Sequence, residues 1–280
     1  MEETVKVNGI NVCYELQGRG EVVLFLHGMG FSHDMWGNAV KAASKYYTTC
    51  ALDLPGFGDS DKPESNYGIP FYVSFIKDFM NATGIDNAAI VGVSMGGAIA
   101  AGFAAKNPGR VSRLVLTSPI GLTPLYNGLP GLPLVSSSMY LFMSRSKELF
   151  KHFAEGMFYK KDVIPHDILW QEWARMKHPS YRAALVKNAK NLSLVDPVYE
   201  ASIRSIRAPT LIIWGRNDMI VPLSDAYRYR DQIQSSELAI IEKCGHVPPM
   251  EQADEFNRVF MTFVGREERY YEDDRIREQA

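Results

Sequence analysis

One stretch decides what this chain can fold into: Ala89-Ile90-Val91-Gly92-Val93-Ser94-Met95-Gly96-Gly97-Ala98-Ile99-Ala100. A β-branched apolar run enters a Gly-x-Ser-x-Gly pentapeptide, and small apolar residues continue from it through Ala105, a pattern that predicts strand, sharp turn and buried helix. So tight a turn forces its central residue into a strained backbone conformation, and Gly92 and Gly96 leave room on either side of Ser94. The serine hydroxyl is then held at a helix N-terminus. There the first amides lack helical partners and the dipole favours negative charge. The pentapeptide alone is a weak signal; its setting between a strand and a helix carries the information.

The rest of the chain repeats the alternation. Residues 4 to 16 alternate apolar and polar around Asn8-Gly9, the pattern of a β-hairpin. Glu21 to Leu26 reads as a buried strand ending in His27-Gly28-Met29-Gly30, with helical texture from Asp34 to Tyr46. A strand at Thr48 to Leu52 runs into Asp53-Leu54-Pro55-Gly56-Phe57-Gly58, and Pro70 to Thr83 carries phenylalanines at helical spacing. Val111 to Thr117 is the next strand. Strands separated by helices and short turns imply a mostly parallel sheet with helices on both faces.

The alternation breaks at Pro119. From residue 121 to 205 the chain is helical in texture and rich in aromatics and methionine, including Tyr140, Phe142, Met143, Phe150, Phe153, Met157, Trp170, Trp173 and Met176. We expect a helical insertion, with most of these side chains packing and a few lining a cleft beneath it. Strand character returns at Pro209 to Trp214 and at Glu237 to Ile241, each ending in polar residues, Asn217-Asp218 and Gly245-His246. A closing helix is expected over Glu251 to Val264. The expected organisation is therefore a core of residues 1–120 and 206–264, a helical cap at 121–205, and a charged tail at 265–280 that is a solvated helix or disordered.

Composition narrows the partners. A net charge of −2 without any Lys/Arg-rich block lacks the basic footprint that nucleic-acid binding requires. Cys13, Cys50 and Cys244 stand at no metal or redox spacing and read as reduced thiols. No apolar run reaches spanning length, and the polar N-terminus lacks a signal-peptide core, so no membrane partner and a cytoplasmic location are expected. The insertion's apolar face leaves open both a homodimer and a monomer that covers its own cleft.

His27, Ser94, Asp218 and His246 fall at the ends of four different strands, the edge where open α/β sheets gather their chemistry. A serine hydroxyl needs an imidazole to take its proton, and that imidazole needs a carboxylate to fix its tautomer. The chain order Ser94, Asp218, His246 supplies nucleophile, acid and base. His27 is a rival base, but it precedes the serine and a glycine turn. Asp196 and Asp225 compete with Asp218. Asp53 reads as the holder of the turn beginning at Pro55, while His33, His152, His166 and His178 show no metal spacing and read as surface or packing residues.

With these motifs in hand, the chain resembles the α/β-hydrolase fold serine hydrolases over residues 4 to 264. The resemblance rests on His27-Gly28-Met29-Gly30, Asp53-Leu54-Pro55-Gly56-Phe57-Gly58, Gly92-Val93-Ser94-Met95-Gly96-Gly97, Gly215-Arg216-Asn217-Asp218 and Gly245-His246. It implies an α/β-hydrolase fold with a helical cap. It also implies a Ser94–His246–Asp218 triad, oxyanion donors in the amides of Met29 and Met95, a structural role for His27, and neither metal nor organic cofactor. The Ser-Met-Gly-Gly elbow is similar to that of meta-cleavage product hydrolases, which cut carbon–carbon bonds. Those enzymes usually carry Asn before the serine and Trp after the histidine, where this chain has Val93 and Val247. The resulting expectation is a carboxylesterase acting on small-molecule esters of short to medium acyl chain, with carbon–carbon hydrolysis and a small-molecule receptor as alternatives.

Overall fold

The computed structural model describes residues 2–124, 137–192 and 196–265; the charged tail expected beyond residue 265 lies outside them. Eight strands form one sheet: β1 (Glu2–Val7), β2 (Ile10–Gly18), β3 (Val22–Leu26), β4 (Thr48–Leu52), β5 (Ala88–Val93), β6 (Val111–Thr117), β7 (Thr210–Gly215) and β8 (Ser236–Ile241). Their order is β1-β2-β4-β3-β5-β6-β7-β8. β1 and β2 make the expected hairpin, with Asn8 and Gly9 at φ 50° and 86°, the left-handed pair that a tight hairpin turn demands. β2 pairs antiparallel with β4, and every later pair is parallel.

The strand order places the site. From β3 the chain turns outward to β4, then returns to β5 on β3's other side, so the crossovers diverge between β3 and β5. In an open α/β sheet a crevice opens at that divergence, beyond the strands' C-terminal ends. Leu26 and Gly92 are register partners there, and the next residues are His27 and, two further on, Ser94. β5 is buried along its whole length, as its unbroken apolar sequence requires of a central parallel strand.

Helices α1 (Gly37–Ala43), α2 (Ile69–Ala82) and α3 (Met95–Lys106) connect the first strands. The sequence predicts one helix from Asp34 to Tyr46; the structure begins it with a 3₁₀ turn at His33–Trp36 and ends α1 earlier. α3 is buried on every side from Met95 to Ala104. Its alanines and glycines let it press between the sheet, α2 and a later helix.

Between β6 and β7 lie α4 (Ser137–Arg145), α5 (Lys147–Glu155), α6 (His166–Met176), α7 (Pro179–Leu192) and α8 (Pro197–Ile203). α4 to α7 pack on one another, whereas α8 packs on α3. α9 (Leu223–Gln232) follows β7, and the expected closing helix divides at Gln252 into α10 (Pro248–Glu251) and α11 (Ala253–Val264). α11 closes the core beneath β3, where Phe25, Trp36, Phe256 and Phe260 form a ring cluster with centroids 5.1–6.2 Å apart. No helix among the described residues is long and apolar enough to cross a membrane.

Candidate active site

Ser94 sits at φ 55°, ψ −116°, a left-handed conformation that L-residues rarely adopt. Its amide donates to Thr117 O on β6, and its carbonyl accepts from Ala98 and Ile120, so both sides of the elbow are clamped. The strain is held by the fold around it. A Cβ on Gly96 would stand 2.1 Å from Leu26 O, and one on Gly92 would stand 2.3 Å from Gly96 O, so the elbow closes only with glycine at both places.

His246 and Asp218 arrive from the ends of β8 and β7. His246 Nδ1 lies 2.8 Å from Asp218 Oδ2, and both side chains are buried. Asp218 Oδ1 accepts from the amides of Ile220 and Val221 at 2.8 and 3.0 Å. With one oxygen held by the chain, the other is aimed at the imidazole. In the neutral ring this places the proton on Nδ1 and leaves Nε2 as the acceptor nitrogen. The two rival carboxylates lie elsewhere. Asp196 caps α8 by accepting from Val198 N, and Asp225 binds Thr123 Oγ1 and Arg228.

Ser94 and His246 line one cavity together with Met29, Val93, Val247 and side chains of the helical segment, among them Phe150, Phe153, Met157 and Met176. No hydrogen bond joins Ser94 to His246 among the described residues; such contacts tighten when a substrate is bound. The amides of Met29 and Met95 donate to no protein acceptor among those residues, which suits groups aimed at a developing oxyanion. Of the insertion's aromatic and methionine side chains, Tyr140, Phe150, Phe153, Met157 and Met176 reach the cleft, beside Ala154, Leu169, Leu185 and Ala189; Met143 and Phe158 are buried elsewhere, and Phe142 and Tyr159 are exposed.

His27 takes the structural role expected of it. Its Nε2 accepts from Leu54 N at 3.0 Å and its Nδ1 donates to Gly28 O at 2.7 Å, so the ring is neutral and ties the loop after β3 to the loop after β4. Burial pushes its pKa down to about 4, outweighing the charge of Asp53. Asp53 holds its turn by accepting from Asp59 N at 2.7 Å.

His33 departs from the sequence expectation of a surface or packing residue. It is buried, and both its amide and Nδ1 bond Asp53 Oδ1, at 2.7 and 2.9 Å. Burial lowers the His33 pKa, but the bond and charge of Asp53 outweigh it and raise it to about 9. Cys13, His33 and Asp53 bring ligand-type atoms within 4.8 Å of one another. Their chemistry is that of an ion pair beside a thiol: burial and the charge of Asp53 push the Cys13 pKa up to about 12, which keeps its sulfur protonated and a poor metal ligand.

Sequence reasoning missed a second network, which ties α6 to the core loops. Arg175 donates to Glu172 Oε1 (2.6 Å), Ser32 Oγ (3.1 Å) and Asp59 Oδ2 (3.0 Å), and Tyr181 donates to Glu172 Oε2 (2.5 Å). The available signal was the Glu-x-x-Arg spacing on one helix.

A strained serine at the divergence of a mostly parallel sheet, with a histidine–aspartate pair from the last two strands, defines a class. The family model described as the alpha/beta hydrolase fold matches residues 21–253, and the chain belongs to that family. Among its relatives, a 2-hydroxy-6-oxo-6-phenylhexa-2,4-dienoate hydrolase of Burkholderia cepacia is 31% identical over 257 residues, 88% of either chain. A 2-hydroxy-6-oxo-2,4-heptadienoate hydrolase of Pseudomonas putida is 28% identical over 273 residues, 94% of this chain and 96% of the other. Among solved structures, a meta-cleavage product hydrolase from Pseudomonas fluorescens IP01 superposes with a TM-score of 0.80 at 27% identity, covering 94% of this chain and 97% of the other. A membrane phospholipase A, described as a bacterial virulence factor, gives 0.81 at 29%, covering 94% and 85%. This chain is a hydrolase of the α/β-hydrolase fold.

Proposed function

We propose that the protein is a serine esterase for neutral, apolar carboxylic esters of short to medium acyl chain, with Ser94, His246 and Asp218 as its triad and the helical segment as its cap. The observation that carries this reading is the cavity lining. Among the described residues its lining is apolar apart from Ser94, Tyr140 and His246, and carries no Asp, Glu, Lys or Arg. The arginine of the overlying helix α6 is already engaged by Glu172 and Asp59. An anionic substrate would lose its hydration here without gaining a counter-charge, whereas an ester would lose little.

In the mechanism, His246 Nε2 takes the Ser94 proton as Oγ attacks the ester carbonyl. The amides of Met29 and Met95 receive the oxyanion; a single such donor is worth about 3 kcal/mol at the transition state. Asp218 stabilises the imidazolium, which then protonates the leaving alcohol. A water deprotonated by His246 attacks the acyl-enzyme, and the acid and free serine return.

Labelling with a fluorophosphonate tests the assignment. Mass spectrometry should find one adduct, on the peptide carrying Ser94, with ester hydrolysis lost in proportion. An adduct elsewhere, or full activity with Ser94 labelled, would sink it.

A second reading, hydrolysis of carbon–carbon bonds in ring-opened aromatics, is supported by the names of the relatives. Those names specify dienoates, which carry a carboxylate, and the described lining residues include no Lys or Arg for that group.

A further inference from the structure

The histidine loop is bonded to the helical segment above it as well as to the sheet. His246 N donates to Met157 O at 2.7 Å. One residue earlier, Gly245 N donates to Glu251 Oε2 at 2.7 Å, and Glu251 Oε1 accepts from Lys160 N at 2.7 Å. Burial and the charge of the same carboxylate push the Cys244 thiol's pKa up. Glu251 is 5% exposed, and its oxygens are met by main-chain amides rather than by a cation. A carboxylate desolvated to bind two backbone N–H groups fixes both of them strongly. The approach is close: a Cβ on Gly245 would stand 2.5 Å from Met157 O.

Residues 157 to 160 lie in the connection between α5, which ends at Glu155, and α6, which begins at His166, and Met157 itself lines the cavity. One face of this short connection therefore touches the substrate space while the other holds the backbone that carries His246. We propose that Glu251 is a positioning residue that locks the His246 loop to the 157–160 connection, so that the imidazole is aimed at Ser94 only while the helical segment is seated. Substrate under the cap and a correctly placed base then become one event. The inference rests on reading His246 as the general base.

The geometry separates this from a local brace. If Glu251 merely stiffened its own loop, the bond to Gly245 N would suffice and the Lys160 amide would be incidental. If it couples two elements, removing either donor should have the same effect. Glu251→Gln leaves one acceptor and turns an NH₂ toward one of the two amides. Lys160→Pro deletes only the distant donor; Lys160 has φ −97°, an extended value from which proline departs modestly.

The test is steady-state hydrolysis of p-nitrophenyl butyrate by wild type, both single variants and the double variant. Misplacing a catalytic group by about 1 Å costs on the order of 10²-fold. Each single variant is expected to lose ~10- to 100-fold in kcat with KM changed less than about threefold, and the double variant to be no worse than the poorer single one. A silent Lys160→Pro beside a damaged Glu251→Gln would overturn the coupling, as would multiplicative losses in the double variant.

Amide exchange in the wild-type protein provides a readout independent of variant folding. The Lys160 and Gly245 amides should exchange at one common slow rate, and both should slow further when Ser94 carries a phosphonate. A fast Lys160 amide beside a slow Gly245 amide would refute the lock. Retained activity in Ser94→Ala would instead remove the mechanism on which the inference stands.

Discussion

Asp218→Asn is the substitution whose outcome the geometry fixes most closely. Asp218 Oδ1 is held by two amide donors, so an asparagine must keep its carbonyl oxygen there and turn its NH₂ toward His246. At the 2.8 Å separation of Oδ2 and Nδ1, two donors cannot face one another, and the histidine shifts its proton to Nε2. That tautomer cannot take a proton from Ser94. The same inversion in a serine-protease triad lowers kcat by about 10⁴-fold, which at 1.36 kcal/mol per decade is roughly 5 kcal/mol of transition-state stabilisation. The assay is kcat for p-nitrophenyl butyrate near neutral pH, with thermal unfolding in parallel. The variant should melt close to wild type, since it is isosteric and keeps the Ile220 and Val221 bonds. An Asn variant within tenfold of wild-type kcat would refute the assignment of Asp218 as the group that sets the tautomer.

Other consequences follow from the same structure. His33 has its pKa raised to about 9 and Asp53 has its pKa lowered to about 2 by their pairing against opposing burial. The histidine's contribution to stability is full below its unfolded value of 6.5 and lost as pH rises through 9; the aspartate's is full above 3.8 and lost as pH falls through 2. His33→Gln should therefore abolish the fall in stability between pH 6.5 and 9, as followed by urea midpoints. Arg175→Met leaves the buried Glu172 carboxylate without its cation and should destabilise by about 3 kcal/mol, with Glu172→Leu added to it restoring much of the loss; chemical denaturation checks both. Phe153→Ala enlarges the cavity and should move the preferred acyl chain upward. Each further buried methylene is worth about 0.8 kcal/mol, or roughly fourfold in kcat/KM along a p-nitrophenyl ester series.

What could be seen in the sequence was whatever is encoded within a few consecutive residues. The elbow around Ser94 and the strand ends at Asp218 and His246 are local patterns whose turn chemistry forces their geometry, and the hairpin at Asn8-Gly9 is another. Strand order has no such signature, because periodicity says which face is buried and not which neighbour is paired. His33 looked unremarkable for a similar reason: its meaning lies in Asp53, 20 residues away. Glu251 is the first residue of the closing helix expected over 251–264, and that helical pattern does not point to its partners, the amides of Gly245 and Lys160. The cavity-lining face of α5 was partly legible, since Phe150, Phe153 and Ala154 recur at helical spacing, with Met157 just beyond the helix end; that this face meets Ser94 depends on how the segment folds back.

The most direct test of the central claim is a comparison of kcat/KM for p-nitrophenyl butyrate and for a 2-hydroxy-6-oxo-dienoate, in wild type and in Ser94→Ala. An uncharged cavity over Ser94 and His246 predicts serine-dependent ester cleavage at least ~10²-fold more efficient than dienoate cleavage, consistent with a buried carboxylate lacking a partner. Faster loss of the dienoate, or ester hydrolysis by Ser94→Ala within a few-fold of wild type, would contradict it.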